Sequence, residues 1–225
     1  MAERPIFLPQ PTPPFVQEKT ISFKWHPGMS RAQAQRSIAE LHASAAAAGY
    51  EPLLEISSKG SEKLGIQLSA FNLRFTAPDG TTLSVESAYQ GSKVFRGGDH
   101  FPDLYGAASR DAKLDERVKG RSDIASFDFF GVPWPGQPTT AFYDWLYLQA
   151  LAQHPDLLEA FQDYEGFTDI AFNPQKSAAC QARCAAMALG MRAAGVWKEA
   201  LSGQDAFLSH MHGQQKQESQ PSLFD

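Results

Sequence analysis

The chain has 225 residues, with 25 acidic against 20 basic side chains, a net charge of −5, 43% hydrophobic and 12% aromatic residues. That apolar content is ample for a core and excludes global disorder, while the acidic balance excludes a general nucleic-acid coat, which needs surplus cations to displace counterions. With only Cys180 and Cys184 there is no disulfide scaffold or four-cysteine zinc site, and without a long apolar run or a signal-like N-terminus a cytoplasmic protein with no membrane partner is expected.

Five prolines within residues 5–14 predict an extended arm over 1–19, because proline lacks the N–H that a helix interior or a central strand requires. Residues 21–25 alternate weakly and predict a short strand. Ser30 caps a helix to about residue 48, with Ile38, Leu41 and Ala45 on one face, and Gly49 ends it. The apolar run 53–56 predicts a strand, followed by the polar loop 57–61. Partial alternation over 68–75 predicts another strand, and Pro78-Asp79-Gly80 a turn. Ser84 starts a helix that runs to about Phe95. Residues 110–121, RDAKLDERVKGR, read as a solvated helix, and 127–138 as an aromatic, Pro/Gly-rich loop. AFYDWLYLQALA, capped by Thr139 or Thr140, is apolar on nearly every face and predicts a buried helix. Residues 167–172 are a loop or a short strand. The Ala-rich stretch 177–194 predicts a helix that lets its neighbours approach closely. Residues 211–225 are too polar to order themselves. The whole predicts one α+β domain over 20–210, helix-dominated with a small β-sheet.

Glu86, Gln90 and Lys93 fall at i, i+4 and i+7 of the predicted helix, on one stripe, with Glu86 in the first turn, where the helix dipole favours a carboxylate. Such a stripe is also what an ordinary solvated face looks like. Ser57, Ser58 and Lys59 follow a strand, where hydroxyls and amides can hold phosphate or ribose and a desolvated lysine can act as a nucleophile; the plain alternative is a polar turn. Asp144 lies inside an apolar helix and must be paired, as a structural or a site residue. Asp169 and Asn173 are ligand contacts or turn-formers. The two cysteines read as small buried hydrophobes, and the spacing of the six histidines makes no metal motif.

Taken in order, LSAFNLRF, the turn PDG and TTLSVESAYQGSKVF resemble the signature of the NADAR superfamily, the YbiA-like N-glycosidases. The matching residues are Phe71, Asn72, Val85, Glu86, Tyr89, Gln90 and Lys93. LLEISSKG, FRGGDHFPDLY, PTTAFYDWLYLQAL and FTDIAFNPQKSAACQARCAA further resemble the branch of NADAR antitoxins paired with DarT-type DNA ADP-ribosyltransferase toxins, over about residues 20–197. The superfamily's C-terminal W-G-x-G-x-N-x-L-G pattern is not visible.

The resemblance implies an ADP-ribosyl-guanine hydrolase that removes ADP-ribose from guanine in DNA without metal or cofactor, with a DarT-type toxin as cognate partner. Glu86 is implied as the carboxylate that stabilises an oxocarbenium-like state. A lysine forms a Schiff base with the ribose: Lys59 is the first candidate and Lys93 the substitute. Asn72, Gln90, Asp144 and Asp169 would orient ribose hydroxyls, and Trp134 or Tyr89 would stack on a base. Two other functions fit the family: an N-glycosidase of a small metabolite such as a riboflavin-pathway intermediate, and a non-catalytic antitoxin that binds its toxin. Separately, Gln220, Ser222, Leu223 and Phe224 match the bacterial sliding-clamp pentapeptide Q-L-(S/D)-L-F, with Pro221 departing at the second position.

Overall fold

The computed structural model describes residues 1–28, 30–175 and 178–212; the candidate clamp motif at Gln220, Ser222, Leu223 and Phe224 lies outside them. In chain order the elements are β1 (Ala2–Pro9), β2 (Val16–Phe23), α1 (Arg31–Ala47), β3 (Leu53–Glu55), α2 (Lys63–Gln67), β4 (Arg74–Thr76) and β5 (Thr82–Ser84). Next come α3 (Val85–Gly91), β6 (Lys93–Phe95), a 3-10 turn at Pro102–Gly106, α4 (Ser109–Leu114), β7 (Ile124–Phe129) and β8 (Val132–Pro135). The C-terminal part holds α5 (Ala141–Ala152), α6 (Pro155–Ala160), β9 (Gly166–Thr168), α7 (Gln181–Ala193), α8 (Trp197–Ala200) and α9 (Gln204–His212).

The fold is mixed α+β and helix-rich, as the sequence predicts. Its N-terminal segment is not an extended arm. β1 is an inner strand of a four-stranded sheet ordered β2-β1-β9-β3, paired along its length with β2. Pro5 and Pro9 are four apart, so their missing N–H groups face the same way. On the β9 side the pairing is confined to Phe7 and Phe167, between the two prolines. β3 and β9 run parallel. Both faces of this sheet are covered, which is why β1 is apolar on both parities. Ile6, Leu8 and Leu53 pack with Ile38, Leu41 and Ala45 of α1, whereas Phe7, Leu54 and Phe167 join the main core with α5 and α7.

Ser30 caps α1 through its hydroxyl, which accepts from Gln33 N–H at 3.2 Å, and Gly49 follows the helix with φ +89°. α5 is buried around most of its circumference. Elsewhere the elements differ from the expectation. The strand expected over 68–75 is only β4, because residues 69–73 turn back on themselves, Asn72 and Leu73 N–H both donating to Ser69 O at 2.8 Å. The helix expected to reach Phe95 stops at Gly91. There a Cβ would strike the Tyr105 ring, and the β-branched Val94 and its neighbours extend as β6 against β7. The helix expected over 110–121 is only α4. The expected 127–138 loop is a hairpin of β7 and β8, turned by Phe130 and Gly131, both at positive φ, as a two-residue hairpin demands. Among the described residues no helix is long and apolar enough to cross a membrane.

The Ala-rich helix does let its neighbours in. A Cβ on Gly190 of α7 would overlap the carbonyl oxygens of Gln10 and Phe15 in the β1–β2 connection. Backbone cannot yield as a flexible side chain does. Gly190→Ala is expected to lower the unfolding free energy by about 1–3 kcal/mol. A urea midpoint equal to wild type would contradict this packing.

Candidate active site

α3 begins where Ser84 Oγ accepts from Ser87 N–H at 3.1 Å, the cap expected from the sequence. The helix N-terminus is clamped to the 69–72 turn, since Glu86 N–H donates to Ala70 O at 3.0 Å. The Ser109 hydroxyl of α4 lies 2.8 Å from both Phe71 O and Ser84 Oγ, tying the same three pieces together.

The Glu86, Gln90 and Lys93 stripe is a buried hydrogen-bonded chain, not a solvated face. Gln90 Nε2 donates to Glu86 Oε1 at 2.8 Å, and Lys93 Nζ donates to Gln90 Oε1 at 2.7 Å. Glu86 is 6% exposed and Lys93 9%. The lysine comes from β6, yet the hydrogen-bonded chain closes, because Lys93 follows Gln90 by only three residues. The amine lies 4.8 Å over the Tyr89 ring. Tyr89 in turn packs against Phe127, Phe142 and Tyr143. Burial therefore pulls the Lys93 amine down from its ordinary 10.5 to about 8; Glu86 opposes the shift and Lys113 adds to it. Lys113 of α4, whose side chain is exposed, sits 3.7 Å from Glu86 Oε2 and 5.0 Å over the partly exposed Phe71 ring.

A second cluster lies at the carboxyl ends of the parallel strands β3 and β9. Glu55 is buried. Its Oε1 accepts from Ser57 Oγ at 2.7 Å and Ile170 N–H at 2.9 Å, and its Oε2 from Thr168 Oγ1 at 2.6 Å. The Thr168 hydroxyl also meets His42 Nε2 at 2.8 Å. Burial raises the Glu55 carboxyl, and it raises Asp169 too, with the Glu55 charge adding to the rise. Burial holds His42 below its usual value. Gln181 joins this cluster to the first: its Nε2 reaches Asp169 Oδ2 at 3.0 Å and Ile56 O at 2.6 Å, while its Oε1 accepts from Ala70 N–H at 2.7 Å. A cavity of about 140 Å³, lined by α1 residues including Gln35 and His42 with Glu55, Ser61 and Glu62, opens beside Glu55 and includes no residue of α3.

The structure thus brings together Phe71, Glu86, Tyr89, Gln90 and Lys93. The other expected site residues are placed differently. Lys59 and Ser58 are exposed in their loop, and among the described residues no hydrogen bond or ion pair joins Lys59 to Glu86 or Gln90; Ser57 is buried on Glu55. Trp134, 1% exposed and packed on Phe142 and Trp145, has no free face for a base. Asp144 is a scaffold residue, fully buried and paired with Arg183 Nη1 and Cys184 Sγ. Asn72 braces its own turn through Ile66 O and Ser69 Oγ, and Asn173 accepts from Gln175 N–H. Glu55, Lys113 and Gln181 escaped the sequence reading. Only Glu55 had a signal there, a carboxylate inside an apolar strand. Among the described residues no group of three or more His, Cys, Asp or Glu could hold a metal ion.

The sequence profile of the family described as DarT1-associated NADAR antitoxin matches residues 2–221. The chain belongs to that family. No curated protein matches it. The match spans nearly the whole NADAR chain, including β1, which is consistent with that strand being part of the domain.

The Lys93 environment makes a direct forecast. In pH-dependent amine labelling read by mass spectrometry, Lys93 should reach half-reactivity near pH 8. Glu86→Gln should move that point down, since it removes an attractive charge, and Lys113→Gln should move it up. A half-point at the ordinary 10.5 in all three proteins would refute the burial argument.

Proposed function

We propose that this NADAR protein is an ADP-ribosyl-guanine hydrolase, an N-glycosidase that removes ADP-ribose from guanine in DNA and reverses the modification made by a DarT-type toxin. The observation that carries the reading is the buried Glu86–Gln90–Lys93 chain, in which burial lowers the pKa of the amine far enough for it to attack carbon near neutral pH. For that reason Lys93, and not the exposed Lys59, is proposed as the Schiff-base lysine.

As the bond between the anomeric carbon and the guanine amino nitrogen breaks, the carbon gains oxocarbenium character, which the Glu86 carboxylate stabilises. The neutral Lys93 amine bonds to that carbon. Its two protons go to the departing guanine nitrogen and to the ring oxygen, leaving an imine on the opened ribose. Water then adds to the imine carbon, the bond to Lys93 breaks, and ADP-ribose and the free amine are released. Gln90 aims the amine, Phe71 offers a partly exposed ring to a base, and Asp169 is proposed to hold a ribose hydroxyl.

The cognate DarT-type toxin is the proposed partner of the system. The tail residues Gln220, Ser222, Leu223 and Phe224 are proposed to dock on the sliding clamp and so raise the local concentration of enzyme at replicating DNA.

Purified protein should release ADP-ribose from a guanine-ADP-ribosylated oligonucleotide; no release would refute the reading. Lys93→Ala and Glu86→Gln should each lower turnover by about 100-fold or more, whereas Lys59→Ala should keep it within about threefold. The rate should climb with pH through about 8, as the Lys93 amine loses its proton. Deleting residues 220–225 should abolish clamp binding in a pull-down and leave oligonucleotide turnover unchanged; full-length protein with no clamp affinity at tens of micromolar would rule that role out.

A further inference from the structure

Five cations lie within residues 110–121, and they are not equivalent. Arg117 is locked between Asp103 at 2.7 Å and Asp115 at 2.9 Å, and Arg121 between Asp99 at 2.9 Å and Asp123 at 2.6 Å. These two staple their own loop and have little charge left to offer. Lys119 is exposed beyond the end of α4. Arg110 and Lys113 differ. Arg110 is exposed and makes no hydrogen bond or ion pair among the described residues. Among the described residues Lys113 has only Glu86 as an ion-pair partner, at 3.7 Å, longer than a hydrogen bond.

The two stand three residues apart, so they share one side of α4, while Asp111 lies roughly 100° or more round the axis from each. The helix is fixed to the site by Ser109, through Phe71 O and Ser84 Oγ. The Lys113 amine then rests over Phe71 at the edge of the buried chain. The Lys113 amine thus lies 3.7 Å from the buried Glu86 carboxylate and 5.0 Å over a partly exposed aromatic ring. A cation, an aromatic ring and a carboxylate are the groups that recognise the phosphate, base and sugar hydroxyls of a nucleotide. A lysine kept only to neutralise Glu86 would make a shorter contact and would not need a second, unpaired cation beside it.

Resting on the hydrolase reading for the identity of the substrate, we infer that Lys113 and Arg110 form a phosphate-binding rim at the mouth of the site. The chemistry recognised is an esterified phosphate anion, which the substrate carries both in the diphosphate of ADP-ribose and in the DNA backbone. Lys113 meets it first, and Arg110 extends the rim along α4. Loosening of Lys113 from Glu86 on binding would free the carboxylate to face the ribose.

The test is binding, measured apart from turnover. Wild type, Lys113→Gln, Arg110→Gln and Lys113→Arg are titrated with ADP-ribose by calorimetry and with a labelled, unmodified single-stranded oligonucleotide by anisotropy. Wild type should bind at least one probe, Lys113→Gln should weaken that binding by about tenfold, and Lys113→Arg should restore most of it. A loss seen with ADP-ribose assigns the rim to the diphosphate. A loss seen only with the oligonucleotide, together with a salt slope reduced by about one, assigns it to the DNA backbone. Wild type binding neither probe, or both glutamine variants binding as wild type does, would overturn the inference. Intact binding without any turnover of modified DNA would instead overturn the hydrolase reading and leave the rim standing.

Discussion

A lysine amine can be buried beside a carboxylate and still shed its proton only if the two do not touch. A direct ion pair would hold Lys93 charged, because the Coulomb gain at contact offsets much of the cost of leaving water. Here a neutral amide stands between them. Gln90 gives its N–H to Glu86 and turns its oxygen to the Lys93 amine, so the lysine keeps a hydrogen bond without gaining a full countercharge. Burial then dominates. The parts of α3 and β6 serve that spacing: the cap at Ser84 sets the helix register, the helix ends at Gly91 against Tyr105, and the aromatic wall of Tyr89, Phe127 and Phe142 covers the amine.

The scaffold fixes this arrangement through few contacts. The peptide of Ala70 is held on one side by Gln181 and on the other by the first turn of α3. Gln181 also reaches Ile56 and Asp169, at the ends of β3 and β9. One amide side chain of α7 therefore couples the carboxyl-rich strand ends to the lysine side of the site. The buried Asp144–Arg183 pair joins α5 to α7 behind this geometry. The pairing with Arg183 and Cys184 compensates the charge, which explains how a fully buried aspartate is tolerated in the first turn of an apolar helix.

What could be read from the sequence was local. Ser30, Gly49 and Ser84 punctuate helices by chemistry that acts within a turn, and the apolar circumference of α5 announces burial wherever the helix packs. The Glu86, Gln90 and Lys93 grouping was legible as a spacing, although the helix assumed to carry it ends two residues before the lysine. Long-range relations were not legible. Nothing near Pro5 or Pro9 shows that the sheet leaves room for their missing donors. The partnership of Glu55 with Thr168 and Ile170 joins segments far apart in the chain, and Lys113 looks like any other surface cation until α4 is folded onto Phe71. The loop serines beside Lys59 had the right residue types after a strand, but Ser57 is consumed by Glu55 and the lysine faces solvent. Trp134 stands in an aromatic, Pro/Gly-rich stretch that predicts a loop, whereas the β7–β8 hairpin folds it into the core.

The claim on which the rest stands is that the uncharged Lys93 amine, not another lysine, bonds to the anomeric carbon. It is tested most directly by borohydride reduction during turnover of guanine-ADP-ribosylated oligonucleotide, followed by peptide mass spectrometry of the trapped adduct. The account predicts a single ribosyl-linked lysine at position 93, lost in Lys93→Ala. An adduct at Lys59, or turnover at full rate with no reducible adduct, would contradict it.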